Sequence, residues 1–276
     1  MIVDTHVHVV SGNRKHYAAL PDAPEWPVTE VDALVQNMDA LGIDRALLVQ
    51  TFFTYGTDNR FMIDCAQRHA RRLASVCVID QTAQDAPQIL TDLVTNHAVS
   101  GVRLMPKGHS PGVLSDPGTF PVWERATELG IVVTVAAELE HLHEMPPVIA
   151  RFPEVKVCFE HMWGLEVGNP PYLQVSPLLE LAAFPNVNLK LCPNNSYAAR
   201  AGTGTPRQFF GMLIDSFGIH RLLWGSNYPA HTGRFGNLEA RLRIMQDDLS
   251  FLGEADRCAF FGENALRLWP VLRAQS

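Results

Sequence analysis

Residues 2–9 read Ile2-Val3-Asp4-Thr5-His6-Val7-His8-Val9. Successive side chains of a β-strand point to opposite faces, so Asp4, His6 and His8 share one face and Val3, Thr5, Val7 and Val9 the other. A β-branched face suits a strand covered by helices. No glycine-rich phosphate loop follows, as it would after the first strand of a doubly wound nucleotide-binding sheet. The stretch therefore reads as the first strand of a barrel, with two imidazoles facing inward.

Seven further candidate strands repeat the theme: Arg45–Thr51, Leu73–Ile79, Val99–Met105, Ile131–Ala137, Val155–His161, Val187–Cys192 and Arg221–Ser226. Helical patterns separate them. Thr29–Leu41 places Val31, Leu34, Val35, Met38 and Leu41 at i, i+3, i+4 spacing. Asp58–Arg71, Ala86–Asn96, Phe120–Leu129, Glu144–Phe152, Pro177–Ala183, Pro206–Phe217 and Gly236–Phe251 fill the other gaps. Gly42 and Gly130 follow helices where a left-handed cap favours glycine. Strand then helix, eight times, predicts an α/β fold: a (β/α)8 TIM barrel forming a single domain over 1–276. The irregular stretches Val10–Val28, Lys107–Gly118, Trp163–Ser176 and Pro193–Thr205 each follow a strand. They would build the C-terminal face, where barrel active sites sit.

Composition narrows the function. The 276 residues are 47% hydrophobic and 18% charged, with a net charge of −7. That supports a large core and excludes the basic face of a nucleic-acid binder. No apolar run is long enough to cross a membrane. The opening lacks the basic and apolar regions of a secretion signal. Cys65, Cys77, Cys158, Cys192 and Cys258 are odd in number and widely spaced. They read as reduced core thiols of a cytoplasmic protein.

A lone buried histidine is most often a hydrogen-bonded core group. His6 and His8 together, on one face near a strand's C-terminal end, point instead to chemistry. Arg103 ends the fourth strand. It either pairs with a barrel carboxylate such as Glu138 or Asp4, or grips a substrate oxygen. Lys190 on the seventh strand invites the same choice, with Glu138 or Glu160 as structural partners. Glu138, Tyr228 and Trp163 are candidate substrate contacts. Lys107, His109, Arg200 and Arg234 could add positive potential to the mouth. Tyr55 and Tyr197 could line it, and His231 could supply an extra acid or base.

Several segments carry a family resemblance. Asp4-Thr5-His6-Val7-His8 resembles the opening DxHxH of the amidohydrolase superfamily. Phe152-Pro153-Glu154-Val155-Lys156-Val157-Cys158-Phe159-Glu160-His161 is similar to its sixth strand, which ends in a histidine. Phe184-Pro185-Asn186-Val187-Asn188-Leu189-Lys190-Leu191 resembles its seventh. Phe217–Pro229, containing Trp224-Gly225-Ser226-Asn227-Tyr228, resembles the eighth, and Gly262-Glu263-Asn264-Ala265 the closing segment. The resemblance spans nearly the whole chain and is nearest to the branch of lactonases. It implies hydrolysis of a small carboxylated or hydroxylated cyclic ester, with His6, His8, His161 and Asn227 as catalytic residues, a small-molecule substrate and a homo-oligomer.

Two departures from the family pattern bear on mechanism. Zinc-holding members use the strand-one histidines, a histidine on strand five and an aspartate on strand eight. Here strand five runs Ile131–Glu138 without a histidine, and Asn227 replaces the aspartate. An amide is a poor zinc ligand and no general base. The expectation is a site without tightly bound zinc. His6 and His8 remain the candidate metal ligands if an ion binds, and Glu138 a substitute. The base is then sought at His161, Glu138 or His8. The alternatives are an aromatic-acid decarboxylase of the same superfamily and a catalytically weakened barrel that binds a small acid.

Overall fold

A computed structural model describes residues 1–105, 114–161 and 167–273. Eight strands lie in consecutive order and pair in parallel. They are β1 (Val3–Val7), β2 (Arg45–Val49), β3 (Leu73–Val78), β4 (Gly101–Leu104), β5 (Val132–Val135), β6 (Lys156–Glu160), β7 (Val187–Leu191) and β8 (Leu222–Trp224). Each falls inside its predicted range, trimmed at the ends where ladder pairing stops.

The sheet closes through β1 and the segment after β8. Asn227 N donates to His6 O at 2.7 Å, and His8 N to Tyr228 O at 2.7 Å. Asp4 Oδ1 accepts from His6 N at 3.0 Å and Ser226 N at 2.8 Å. The first polar residue of the opening motif is therefore a staple across the seam. Burial raises its pKa to about 6.

Helices cover the outside, and Val7 and Val9 join their core. Val3, expected on the same face, packs with the inner cluster instead, because the register of β1 against β2 shifts between Asp4 and Val7. Gly42 and Gly130 take left-handed φ of 67° and 66° and donate to the last carbonyls of their helices, as the caps require. Inside, Leu47, Val49, Ala74, Val76, Val132, Cys158 and Leu223 pack with Leu268, Trp269 and Leu272. Trp269 lies beside Gly101, the first residue of β4, so the C-terminal segment plugs the N-terminal end of the barrel. Chemistry is left to the opposite mouth.

Two expectations are corrected. Pro193–Ala201 is a helix, not an irregular loop. Its Pro-Asn-Asn start has loop composition, but Asn195 Oδ1 accepts from Cys192 N at 2.8 Å and so turns the chain into the helix. Cys258 is exposed, whereas the other four cysteines are buried. Burial raises those four thiols to about 12, which makes them inert.

Candidate active site

His6 and His8 are buried in the barrel, and Asp4 is buried at the seam, where the register of β1 against β2 shifts between Asp4 and Val7. The approach of β8 to His6 needs a residue without a side chain. A Cβ on Gly225 would stand 2.7 Å from His6 Cβ. Beyond it Asn227 adopts φ 54°, which asparagine tolerates better than most residues. Its side chain hydrogen-bonds His8.

Arg241 holds this turn. Its guanidinium, completely buried, donates to the carbonyls of Ser226, Asn227, Ala230 and Gly236 at 2.6–3.2 Å. Desolvation lowers its pKa to about 10.

Glu160 is the residue that sequence reasoning passed over. The sequence offers it only as a structural partner for Lys190. β6 ends at Glu160, and His161 turns to a positive φ of 24°. The kink lets both residues join the site. Glu160 Oε2 accepts from Arg103 Nε at 2.7 Å, and Glu160 Oε1 stands 3.8 Å from Lys190 Nζ and 3.6 Å from His6 Nδ1. Despite desolvation, Arg103 and Lys190 hold its pKa down at about 2.

The rings meet edge to face. His6 lies 4.6 Å from His161 and 4.8 Å from His8 between centroids. The His6 and His8 Nε2 atoms are 3.1 Å apart, His8 Nδ1 is 2.8 Å from Val49 O, and His6 Nδ1 is 3.3 Å from Lys190 Nζ. His161 is pinned through its carbonyl, which accepts from Asn195 Nδ2 at 3.1 Å, while its Nδ1 has no hydrogen-bond partner among the described residues. Burial, reinforced by Arg103 and the other nearby cationic groups, lowers all three imidazoles. His8 and His161 fall to about 3 and His6 well below its ordinary value. All three are neutral at pH 7.

The other candidates fall elsewhere. Lys190 is fully buried between His6 and Trp269, on the plug side of the rings, and not at the mouth where a substrate contact was expected. The Tyr228 ring lies under Arg241 and packs on the outer core, so it too departs from the expected substrate contact. Glu138 is partly buried just beyond β5. Trp163, Lys107 and His109 lie outside the described residues. Among the described residues, Trp26 stands at the mouth, edge-on to His8 at 5.2 Å. Its signal was its place in the long segment after β1. Tyr55 is occupied by Ser11 N, Arg200 by Asp248, and exposed His231 and Tyr197 lie against Phe235. The Arg234 guanidinium also lies over the Phe235 ring.

His6, Glu160 and His161 bring candidate ligand atoms within 4.8 Å of one another. No helix among the described residues is long and apolar enough to cross a membrane.

A closed parallel barrel with buried imidazoles, a carboxylate and a guanidinium at its C-terminal mouth defines a TIM-barrel enzyme. Comparison with known proteins narrows this. The amidohydrolase family model matches residues 3–271. The chain is 26% identical over 267 residues to an L-fucono-1,5-lactonase of Burkholderia ambifaria, with 90% of each chain covered. It superposes on a probable 2-pyrone-4,6-dicarboxylic acid hydrolase from Acinetobacter baumannii with a TM-score of 0.80, 21% identity and coverage of 98% and 99%. A zinc-bound amidohydrolase from Burkholderia multivorans gives 0.79, 21%, 98% and 99%. The chain belongs to the amidohydrolase family and is a hydrolase.

Proposed function

We propose that the chain hydrolyses small hydroxyl-bearing lactones at this mouth. The observation that carries the reading is the free Nδ1 of His161, a neutral buried imidazole beside the Glu160 carboxylate and the Arg103 guanidinium. Among the described residues only Nε of Arg103 has a partner, which leaves its terminal N–H groups for a substrate oxygen. The similarity to a fuconolactonase supports the same chemistry.

Each residue then has a task. Arg103 and one N–H of the Asn227 amide polarise the lactone carbonyl, where charge develops as water attacks. His161 Nδ1 accepts the water proton as the new C–O bond forms. Glu160, ionised at neutral pH, stabilises the resulting imidazolium. The ring C–O bond breaks and His161 returns the proton to the departing alkoxide, giving an open hydroxy acid. His6 and His8 form the floor and Trp26 an apolar wall.

Glu160 cancels one of the two buried cations, Arg103 and Lys190. A single guanidinium edge suits a neutral sugar lactone better than a dicarboxylate, which would need two cationic grips. The donor set does not suit a divalent ion, because Lys190 and Arg103 already flank the one carboxylate. We therefore assign the reaction to the side chains. The free cysteines suit a cytoplasmic setting.

The test is acid release from a panel of aldono-1,5-lactones and from 2-pyrone-4,6-dicarboxylate. Sugar lactones should be hydrolysed at least about tenfold faster, and His161→Ala should lower kcat about 10²–10⁴-fold with little change in KM. The reading fails if no lactone is opened faster than it opens in buffer.

A further inference from the structure

The buried rings can carry their protons in only one arrangement. Val49 O is a carbonyl and can only accept, so His8 Nδ1, at 2.8 Å, holds a hydrogen. Neutral His8 then has a lone pair on Nε2. His6 Nε2, 3.1 Å away, must supply the hydrogen between them. That leaves His6 Nδ1 as an acceptor, and the group facing it at 3.3 Å is the Lys190 ammonium, a donor with no lone pair. The opposite sense would have His6 Nδ1–H turned to Glu160 Oε1, at a longer 3.6 Å, and would set a His8 lone pair against the Val49 carbonyl.

We propose that Lys190 is the resident cation of this site: a positioning residue that drives a one-way hydrogen-bond chain, Lys190 to His6 to His8 to Val49 O, and thereby closes the His6–Glu160–His161 seat to zinc. A zinc ligand must present a lone pair. His6 has none to give, because Nε2 bears a hydrogen and Nδ1 is taken by Lys190. Glu160 is shared between Arg103 and Lys190. His161 Nδ1 and Glu160 Oε1 have no hydrogen-bond partner among the described residues, but Glu160 Oε1 already faces the Lys190 ammonium at 3.8 Å. A dication would also sit within a few ångströms of an ammonium that cannot move away, since Lys190 is wedged between His6 and Trp269. The ammonium supplies, on a fixed side chain, positive charge that a metal would otherwise bring. This exclusion of zinc holds whichever substrate is hydrolysed.

Two measurements test it, and neither uses a lactone. Nitrogen–proton correlation NMR of the wild-type chain should show His6 protonated on Nε2 and His8 on Nδ1. A His6 protonated on Nδ1 would overturn the proposal. Metal-stripped wild type and Lys190→Met are then titrated with zinc against a chromophoric chelator, with folding followed by circular dichroism. Wild type should hold zinc on the order of a hundredfold more weakly than the variant, which gains about one ion per chain. Stoichiometric zinc on wild type, or a folded variant that gains no affinity, overturns the exclusion. Should the variant not fold, the tautomers and the wild-type titration still decide.

Discussion

Asn227→Asp is the substitution that most sharply separates two mechanisms. Amide and carboxylate have nearly the same shape, and both tolerate φ 54°. The change is therefore electrostatic. The side chain faces His8, whose Nδ1–H is committed to Val49 O, so Nε2 presents a lone pair. His6 Nε2–H already satisfies that lone pair, so the amide adds only a weak dipole beside the ring, whereas a carboxylate adds a full negative charge that favours protonation of His8. A carboxylate about 4 Å from the ring, at an effective dielectric of about 20, attracts an imidazolium by about 4 kcal/mol. That is close to three decades in proton affinity. It would lift His8 from about 3 back towards its ordinary 6.5.

The variant should thus lose a donor to the substrate oxygen and gain a new ionisation. Removal of one such donor costs about 10²–10³ in kcat. The pH profile on the best lactone should acquire an inflection near the ordinary histidine value, which wild type lacks, with KM little changed. A gain of about 10²–10⁴ in kcat at neutral pH would refute the reasoning. It would mean that the site runs on a base at 227, and that His161 does not take the water proton.

Other outcomes follow from the same geometry. His6, His8 and His161 have lowered pKa values, so the folded chain binds fewer protons than the unfolded one below pH 6.5. Their contribution is complete above 6.5 and lost as pH falls towards 3, at up to about 4 kcal/mol per pH unit for three groups. Asp4, raised to about 6, opposes this by about one third between 4 and 6. Urea midpoints should therefore begin to fall just below pH 6.5; a flat response down to pH 4.5 would contradict it. Glu160→Gln leaves Arg103 and Lys190 buried without their carboxylate, and should cost about 3–5 kcal/mol by urea unfolding. Arg241→Lys cannot reach four carbonyls at once. It should lower stability by roughly 1–3 kcal/mol and kcat on lactones as well, because the turn that aims Asn227 loosens; unchanged kcat would count against that coupling.

The barrel was legible because its signals are periodic. Alternation set the shared face of His6 and His8, though not that of Asp4, and glycine marked two helix ends. The centre of the site was less legible for the same reason. Parity assigns Glu160 and His161 to opposite faces, and only the backbone turn at His161 cancels that rule. Lys190 was visible as an inward residue, but not its depth. A lysine near the end of a strand reads as a substrate contact until Trp269, nearly eighty residues later in sequence, is seen to fill the barrel end beneath it. Asn195 and Arg241 act on backbone carbonyls, which carry no sequence signature of their own. Strand ends are where local pattern loses authority. There the chain leaves the ladder, and side chains are aimed by turns, caps and distant elements. In a parallel barrel those ends are also where the reaction takes place.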